Sequence, residues 1–485
     1  MRKFAGLLSA LGIIVAVCVP PAAFAVPLAS GPRAMPNALA MPRAIPQPNA
    51  NALWSPAHYT PHTGPHFNNP YGGTSARRAI LRNVDATINS VPGYHVQSRS
   101  QCPKDPALWP AEIKISLYSI ADMSFVRSLI AADRRCVSVQ LLMNDHLNAT
   151  TSPSWGKLLH AIGGNRSARS FTYRCSNSCR GNSVLHSKFY LFSEAGKAHD
   201  VVMVGSSNMT TNASRVQWND LYTAPGNAQL YSQFRGIFEQ MVPDQYVPHA
   251  FREYHAAPYT TMFWPDNAAT EATDHEVGIL RRVRCSGATG GTGINGHTVV
   301  YINIHAWHSA RGQWFADEAR RLYNRGCYVR VLYSFMGHGI FDYLKQGTGS
   351  RMKVLRTLFP RPNTDVAAHY SHMKNINISG HVGADTSVRE VWTGSNNFTG
   401  LGLHSDEVLM RIPVSSIYAD YVRHWKLMAR RASPVWAIYS EPSGGGRAPD
   451  AETADLVVAN GGKSPTAVQL RDELPPVDTS GQDMD

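Results

Sequence analysis

Two short stretches of the chain decide its fold: Val184-Leu-His-Ser-Lys-Phe-Tyr-Leu-Phe192 and Tyr370-Ser-His-Met-Lys-Asn-Ile-Asn-Ile378. Both are rich in β-branched and aromatic residues, a composition typical of strands. Each contains a histidine that is followed two positions later by a lysine. Because alternate residues of a strand point to the same face, each predicted strand would present an imidazole ring and an ammonium group side by side.

The sequence around these two stretches has the same order of predicted elements, so the chain contains one internal repeat. In each half a strand leads through a helix-like segment to a second strand that starts at a cysteine. Strands joined in this way are expected to be parallel, with a right-handed crossover. These segments are 113–120, 122–134 and 136–142 in the first half and 299–304, 310–325 and 327–333 in the second.

A Gly-Ser turn follows each histidine-containing strand. A further predicted strand in each half runs into Gly205-Ser-Ser-Asn208 or Gly394-Ser-Asn-Asn397, and an amphipathic helix then closes the half. The pattern predicts an α/β fold of two pseudo-twofold-related α-β-α halves, each with a mixed, mainly parallel sheet. The active site is expected at the interface between the halves.

Composition and charge indicate the class of protein and of partner. The chain has 485 residues, of which 43% are hydrophobic and 16% charged, and this balance excludes a disordered protein. Lys and Arg number 46 against 34 Asp and Glu, which gives a net charge of +12. A basic protein of this kind favours anionic partners such as phosphodiesters, nucleic acid or acidic lipid head groups.

The N-terminus is typical of an export signal. Residues 1–25 begin with two basic residues, continue with an apolar run and end in a small-x-small cleavage site at Ala25. We therefore expect a secreted, extracellular protein that is released by cleavage near Ala25. An uncleaved N-terminal anchor is the alternative, but the apolar run is short for a membrane span.

The rest of the chain divides into four segments. Residues 26–75 are rich in proline, which excludes a helix or a central strand there. Residues 441–485 contain three consecutive glycines, several acids and few large apolar residues, and we expect a flexible acidic tail. The two repeated halves then correspond to 76–250 and 251–440.

The cysteines agree with an oxidising compartment. Cys18 belongs to the predicted signal peptide, and the other six form an even set that allows several pairings. The internal repeat selects one of them, because it makes two pairs equivalent and leaves one local pair. The predicted disulfides are Cys102–Cys136, Cys285–Cys327 and Cys175–Cys179. Half a zinc site at the local pair is the alternative, but no second pair of ligands has a matching spacing.

The repeated histidine, lysine, serine and asparagine suit the cleavage of a phosphodiester. A histidine can attack phosphorus or protonate a leaving oxygen, and a lysine neutralises the non-bridging oxygens. The asparagine amide, together with the serine or backbone N–H groups of the turn, can donate hydrogen bonds to the same oxygens. The candidate residues are His186, Lys188, Ser206 and Asn208 in the first half and His372, Lys374, Ser395 and Asn397 in the second.

The doubled motif resembles the two HKD motifs of the phospholipase D superfamily. The resemblance covers most of residues 75–440, and its specificity comes from the occurrence of both motifs. The usual Asp five residues after each Lys is replaced by Ser193 and Ser379. The tyrosyl-DNA phosphodiesterases of the superfamily also lack this Asp, so the chemistry does not depend on it. The departure does weaken the similarity to a typical phospholipase.

The resemblance implies a mechanism and a further set of residues. His186 would form a phosphohistidine, and His372 would protonate the leaving alcohol and then activate water. No metal or cofactor is implied, because the two lysines neutralise the charge. Family members also carry a carboxylate or amide soon after the Asn, which orients a catalytic histidine. The candidates for this role are Asn219 or Asp220 in the first half and Asp406 or Glu407 in the second.

Three functions fit the pattern. The resemblance favours a secreted, monomeric phosphodiesterase of the phospholipase D type, which cleaves phospholipid head groups at a membrane surface. A secreted nuclease of the same superfamily, acting on DNA or RNA, is the alternative, and Trp392-Thr-Gly-Ser-Asn-Asn-Phe-Thr399 resembles that branch. A lipase would expose aromatic side chains such as Trp264 or Trp307, and a nuclease would have a basic groove. A catalytically silent phosphate-binding protein is the third, and two complete motifs argue against it.

Other motifs have simpler explanations. Gly291-Thr-Gly-Ile-Asn-Gly296 fits a dinucleotide-binding pattern but precedes a predicted strand, so we expect a loop. His305 and His308 have no metal-binding context, and we interpret their spacing as a coincidence.

Overall fold

The structure, a computed structural model, describes residues 53–54, 59–96, 98–145, 152–176, 178–360 and 367–434. All of them belong to one compact unit, Pro48–Asp485. The predicted signal peptide and acidic tail, and most of the Pro-rich segment, lie outside the described residues. Within those residues no helix is both long enough and apolar enough to cross a membrane.

The first half is built on a seven-stranded sheet with helices packed against it. The strands of the whole first half are β1 (Leu53–Trp54), β2 (Gly64–Phe67), β3 (Gly93–Tyr94), β4 (Glu112–Leu117), β5 (Ser138–Asn144), β6 (Phe171–Cys175), β7 (Phe189–Ala195), β8 (Ala198–Gly205), β9 (Gln217–Trp218) and β10 (Asp220–Ala224). Its helices are α1 (Thr74–Arg77), α2 (Ala79–Ser90), α3 (Met123–Arg134), α4 (Pro153–Ile162), α5 (Thr211–Arg215) and α6 (Ala228–Met241). The strand order of the sheet is β2-β10-β8-β7-β4-β5-β6, and β1 pairs with β3 separately.

Pairing within this sheet follows from the length of the connections. β4, β5 and β6 pair in parallel because α3 and α4 return the chain across the sheet between them. β7 and β8 pair antiparallel because a tight turn joins them at Gly196, which has a positive φ of 60°. Any side chain at Gly196 would also collide with the backbone oxygen of Tyr59.

The second half repeats this plan with a nine-stranded sheet. The strands of the whole second half are β11 (Arg252–Ala256), β12 (Tyr259–Phe263), β13 (Val283–Arg284), β14 (Val299–Trp307), β15 (Tyr328–Met336), β16 (Met352–Arg356), β17 (Phe359–Pro360), β18 (Ala367–Ser371), β19 (Asn375–Val382), β20 (Asp385–Gly394) and β21 (Val408–Ile412). Its helices are α7 (His275–Arg281), α8 (Ser309–Asn324), α9 (His338–Lys345), α10 (Leu401–His404) and α11 (Ser415–Ala429). The main path of the sheet is β11-β12-β21-β20-β19-β14-β15-β16.

The predicted α/β class, with two similar halves and mixed sheets, is confirmed. Parallel pairing, however, is confined to three adjacent strands in each sheet: β4, β5 and β6, and β14, β15 and β16. The remaining described pairs of both sheets are antiparallel. The parallel share is smaller than the sequence predicted, because the strands after each histidine motif are joined by hairpins rather than by crossover helices.

One apolar core spans the two halves. It combines residues of α6, such as Phe234 and Phe238, with residues of β21 and α11, such as Met410 and Tyr421. The rings of Phe234 and Phe263 meet edge to face, with centroids 4.9 Å apart. Each half also has a large core of its own on the other side of its sheet. The halves are therefore joined by buried apolar surface, which is the main stabilising term in such interfaces.

Two stretches of backbone also pair across the halves, one beside each histidine. β18 runs parallel to β9, with Ser371 opposite Trp218. The equivalent contact is a parallel bridge between Leu185 and Asp406. These pairings give each histidine segment a backbone partner from the other half.

The three disulfides predicted from the repeat are present. Cys102–Cys136 and Cys285–Cys327 occupy equivalent positions in the two halves, next to β5 and β15. Cys175–Cys179 closes a short loop after β6. None of the three joins the first half to the second.

Candidate active site

The two histidine motifs lie beside strands rather than within them. His186 and Lys188 immediately precede β7, and His372 and Lys374 lie between β18 and β19. The predicted strand over 184–192 therefore starts too early, and the predicted strand over 370–378 is two strands separated by the motif. Backbone groups near the histidines bond across the halves instead: the His186 N–H donates to the Asp406 carbonyl (3.0 Å) and the His372 N–H to the Trp218 carbonyl (2.9 Å).

His186 is held by a carboxylate from the other half. Its Nδ1 lies 2.7 Å from Oε1 of Glu407, and both side chains are almost fully buried. The hydroxyl of Ser395 donates to the second carboxylate oxygen. Burial by itself would raise the pKa of Glu407, but His186, Lys188 and Ser395 together lower it, so the carboxylate is ionised. The ionised acceptor requires the proton of His186 on Nδ1, which makes Nε2 the reactive nitrogen.

His372 has the equivalent arrangement with neutral acceptors. Its Nδ1 lies 3.0 Å from the Ser206 carbonyl and 3.1 Å from Oδ1 of Asn219. Both atoms accept hydrogen bonds, so Nδ1 carries the proton in this residue as well. The orientation of Asn219 is fixed, because its Nδ2 donates to the carbonyl of Ala213 and to Oε1 of Gln217.

The two lysines are buried beside the histidines. Lys374 Nζ lies 2.9 Å from Nε2 of His372, and Lys188 Nζ donates to the backbone carbonyl of His186 at 2.7 Å. Both side chains are at most 1% exposed. Buried ammonium groups are costly unless a negative charge approaches them, so the pair forms a site suited to an anion.

The two asparagines of the Gly-Ser turns occupy matching positions. Oδ1 of Asn208 accepts the N–H of Ser119 at 3.2 Å, and Oδ1 of Asn397 accepts the N–H of Ala306 at 3.1 Å. With the amide oxygen bound to backbone, the amide nitrogen is the group that suits a phosphate oxygen. The hydroxyls of Ser206 and Ser395 instead contact carboxylates, Asp220 and Glu407 respectively.

The backbone assigns the register that the sequence left open. The Asp220 N–H donates to the Ser206 hydroxyl, as the Val408 N–H does to Ser395. Asp220 is therefore equivalent to Val408, and the preceding residue, Asn219, is equivalent to Glu407. These two are the residues that contact the histidines.

Asp220 and Asp406 lie near the site but do not contact an imidazole. Asp220 accepts hydrogen bonds from three hydroxyls, on Ser206, Thr393 and Tyr421, and burial raises its pKa. Asp406 pairs with Arg180. Both carboxylates are bound by structural partners. We therefore regard them as supports of the site and not as catalytic residues.

Two further rings lie against the histidines, and the sequence analysis missed both. Tyr118 meets His186 edge to face, with centroids 5.6 Å apart, and His305 lies 4.7 Å from the ring of His372. They are equivalent positions, because the residues that follow them donate to Asn208 and Asn397. The spacing of His305 and His308 was interpreted as a coincidence, yet His305 belongs to the site. No sequence signal singles it out, because its equivalence to Tyr118 is defined by hydrogen bonds to Asn208 and Asn397, which lie far along the chain.

The described residues contain no group of three or more His, Cys, Asp or Glu side chains that could hold a metal ion. The arrangement instead offers two imidazoles, two ammonium groups and two amides. Such a set can bind a singly charged phosphodiester and supply both a nucleophile and a proton donor.

Comparison with known families agrees with this chemistry. Residues 110–242 match the family model described as "Cardiolipin synthase, PLD-like domain". The matched segment includes His186, Lys188 and Asn208. It confirms the resemblance to the phospholipase D superfamily that the doubled motif indicated. No curated protein sequence matches the chain.

Several solved structures match the chain at low sequence identity. Polyphosphate kinase from Porphyromonas gingivalis is 10% identical over 78% of this chain, with a TM-score of 0.48, and the chain spans about half (53%) of that kinase. Phosphatidylserine synthase from Haemophilus influenzae is 10% identical, covering 66% of this chain and 82% of that one, with a TM-score of 0.41. Nuc from Salmonella typhimurium, a phospholipase D family member, is 17% identical over 38% of this chain and 96% of its own, with a TM-score of 0.27.

Proposed function

Residues 110–242 are a phospholipase D-like domain, and from this premise we propose that the protein is a phosphodiesterase that works through a phosphohistidine. One observation carries the proposal: each of two buried histidines has its Nδ1 proton bound by a residue of the other half, Glu407 or Asn219. Both imidazoles are thereby set to react through Nε2. The lysine and asparagine of each motif surround them.

In the first step, Nε2 of His186 attacks the phosphorus atom and a P–N bond forms. The P–O bond to the leaving alcohol breaks, and the alcohol oxygen takes a proton from Nε2 of His372. Before substrate binds, Lys374 lies against that nitrogen. A bound phosphate attracts Lys374 to its own oxygens, which frees Nε2 of His372 to carry the proton.

In the second step, water attacks the phosphohistidine. Nε2 of His372 takes a proton from the water, the P–N bond breaks and His186 is regenerated. An alcohol in place of water would give transfer instead of hydrolysis. Lys188, Lys374, Asn208 and Asn397 stabilise the charge on the non-bridging oxygens in both steps, because they are oriented before the substrate arrives.

The different partners of the two histidines support their different roles. An ionised carboxylate stabilises the positive charge that His186 gains when it becomes a phosphohistidine. A neutral amide gives His372 less stabilisation as an imidazolium, so His372 releases its proton more readily to the leaving oxygen. We therefore assign the nucleophile to His186 and the acid and base to His372.

For the substrate we propose a phospholipid head group, on the strength of the family resemblance and the basic charge of the chain. A nucleic acid is the second candidate, and one observation favours it. Trp264 and Trp307, the aromatic residues expected at a membrane-contacting surface, are fully buried. Among the described residues the exposed large hydrophobic side chains are Leu159 and Tyr246, which leaves a surface better suited to a soluble phosphodiester.

We also propose that the protein is secreted as a monomer after cleavage near Ala25. Three disulfides support an oxidising compartment, since such bonds are rare in reducing ones.

One assay tests the function and its substrate class together. The purified protein is incubated, with a chelator present, with vesicles of phosphatidylcholine, phosphatidylethanolamine or sphingomyelin and with single- and double-stranded DNA. Release of head group supports the phospholipase, and release of nucleotides supports the nuclease. His186→Ala and His372→Ala variants serve as controls, because a contaminating enzyme would remain active in both. Absence of cleavage of every substrate by the unmodified protein would overturn the proposal.

A further inference from the structure

Glu407 must be held accurately to orient His186, and a group outside the HKD motifs does this. Its backbone carbonyl accepts the N–H of Trp264 at 3.1 Å. The preceding residue, Asp406, pairs through its backbone with Val184 and His186 of the other half. The position of Glu407 therefore depends on Trp264 on one side and on Asp406 on the other.

Arg180 connects these two supports. Its Nε lies 3.1 Å from Oδ1 of Asp406, and its Nη2 donates to the carbonyl of Trp264. Its Nη1 donates to the Ala250 carbonyl (3.3 Å) and to Oε1 of Gln240 (3.4 Å). The guanidinium is 1% exposed, so these contacts are not exchanged for water. A rigid, planar group of this kind is suited to fixing several acceptors at once.

A disulfide closes the loop that immediately precedes Arg180. Cys175–Cys179 closes this loop, and the N–H groups of Cys179 and Arg180 both donate to Oδ2 of Asp406, at 2.7 and 3.2 Å. Asp406 thus binds the loop through two backbone groups and one side chain. The loop comes from the first half and Asp406 from the second, so the contact spans the halves.

The partner of the other histidine has a neutral brace in place of an ionic one, because the N–H of Asn219 donates to Oδ1 of Asn68 at 2.6 Å. Trp218 occupies the position equivalent to Asp406, because its carbonyl accepts the N–H of His372. Its indole ring packs against Tyr71 and His424. The ionic contact is therefore specific to the side of the site that carries the nucleophile.

We propose that Arg180 is a positioning residue, which fixes Glu407 against Nδ1 of His186 by binding both Asp406 and Trp264 from a position next to the disulfide-closed loop. This inference rests on the proposed function. Arg180 does not contact the phosphate site itself, and it acts through Asp406 and Glu407. Its loss should misplace the carboxylate that supports the nucleophile, and misplacement by about 1 Å can cost up to roughly 10²-fold in rate.

Two variants and one control test the role of Arg180. Arg180→Lys keeps the charge beside Asp406 but cannot also reach Trp264. Arg180→Gln combined with Asp406→Asn removes both charges, so no unpaired buried charge is left to prevent folding. Glu390→Gln is the matched control, because Glu390 is a buried carboxylate of the second half that pairs with Arg411 and accepts a hydrogen bond from Trp392 rather than from a histidine.

The first readout is the rate of adduct formation on His186 with bis(p-nitrophenyl) phosphate, followed by rapid quenching and mass spectrometry across pH. We expect roughly 10- to 100-fold slower formation in the double variant, and a smaller loss in Arg180→Lys. The acid limb of the plot of adduct-formation rate against pH should also move to lower pH. Protonated His186 cannot attack, and a displaced Glu407 carboxylate no longer favours that protonated form. A purely structural defect would lower the rate without moving the limb.

The second readout does not need turnover. The Nδ1 proton shared by His186 and Glu407 should give a low-field proton NMR resonance, identified by its upfield shift in Glu407→Gln, where the acceptor is neutral. We expect that resonance to shift or broaden in both Arg180 variants and to be unchanged in Glu390→Gln. If both variants fold and match the control in this resonance, Arg180 has no positioning role, whatever the activity. If the unmodified protein forms no adduct while the resonance responds as expected, the proposed function fails and the positioning role stands.

Discussion

Replacing Glu407 with Gln tests the division of labour between the two histidines most directly. The change keeps the shape of the side chain and removes its charge. The amide oxygen can still accept the Nδ1 proton of His186, and the amide nitrogen can donate to the hydroxyl of Ser395. His186 would then have an amide partner, as His372 already has in Asn219.

The expected loss follows from the contact that is weakened. Nδ1 of His186 and Oε1 of Glu407 are 2.7 Å apart in a buried environment, and the imidazole becomes positively charged during attack. A hydrogen bond to a charged group contributes about 1.5–3 kcal/mol, roughly 1 kcal/mol more than a neutral one. Because the amide keeps a neutral hydrogen bond, the loss in the transition state is that difference of about 1 kcal/mol, which lowers the rate of adduct formation by about 5-fold.

The pH dependence of adduct formation gives a second, independent test of the role of Glu407. Ionised Glu407 favours the protonated form of His186, and attack requires the unprotonated form. Removing the charge should therefore move the acid limb of adduct formation to lower pH while the maximum rate falls. The wild-type protein also gains stability from Glu407, whose pKa is lowered on folding. That stability is present above the ordinary carboxyl pKa and is lost as the pH falls through the folded value, and the Gln variant should lack this dependence.

The measurement is a single-turnover reaction with bis(p-nitrophenyl) phosphate, whose leaving group needs no proton, so that only the first step is observed. Glu390→Gln provides the control for removal of a buried carboxylate. A Glu407→Gln enzyme that forms the adduct at the wild-type rate, with an unmoved acid limb, would refute the role of the carboxylate. An adduct on His372 in place of His186 would reverse the assignment of the two histidines.

Three further outcomes are expected. Activity should survive EDTA, because two buried lysines supply the positive charge; loss with chelator and recovery with added metal would contradict this. Asn219→Asp should slow turnover of alkyl phosphodiesters by about 10-fold but spare p-nitrophenyl esters, because a carboxylate makes His372 a weaker acid; equal effects on both esters would count against it. His424, whose pKa burial lowers to about 3, is neutral when folded, so stability should fall as the pH drops below its ordinary value of about 6.5. At pH 5 this amounts to about 2 kcal/mol, and urea denaturation of His424→Phe should show a correspondingly smaller loss between pH 7.5 and pH 5.

The repeat made much of the fold predictable. Equivalent cysteines and a repeated strand-helix-strand order give the two halves and the three disulfides directly from the sequence. The antiparallel share of the sheets was underestimated, because hairpins such as that at Gly196 leave only a short turn signal. The strand near His186 was predicted to begin too early, and the break between strands at His372 was missed. The residues there have strand composition, but their hydrogen bonds go to the other half, and sequence periodicity within one half does not contain that information.

The sequence predicted which residues form the two motifs of the candidate site. It did not predict which residue of the other half bonds to each histidine. His186, Lys188 and Asn208 and their counterparts follow from spacing. The choice between Asn219 and Asp220, or between Asp406 and Glu407, depends on which residue faces the interface, and this is decided by the backbone bond to Ser206 or Ser395. Arg180 and His305 carry no sequence signal strong enough to single them out. The role of each depends on a contact with a residue far away in the chain, Asp406 for Arg180 and His372 for His305.

The exchange of partners between the halves has a consequence for the history of the chain. If the repeat arose by duplication, the two copies began with the same residue at positions 219 and 407, and the two histidines were then chemically alike. A single substitution at either position is enough to make one histidine different from the other. The residue that changes the character of a histidine is inherited with the opposite copy, so neither copy can specialise alone. Each half therefore constrains which mutations the other half can accept.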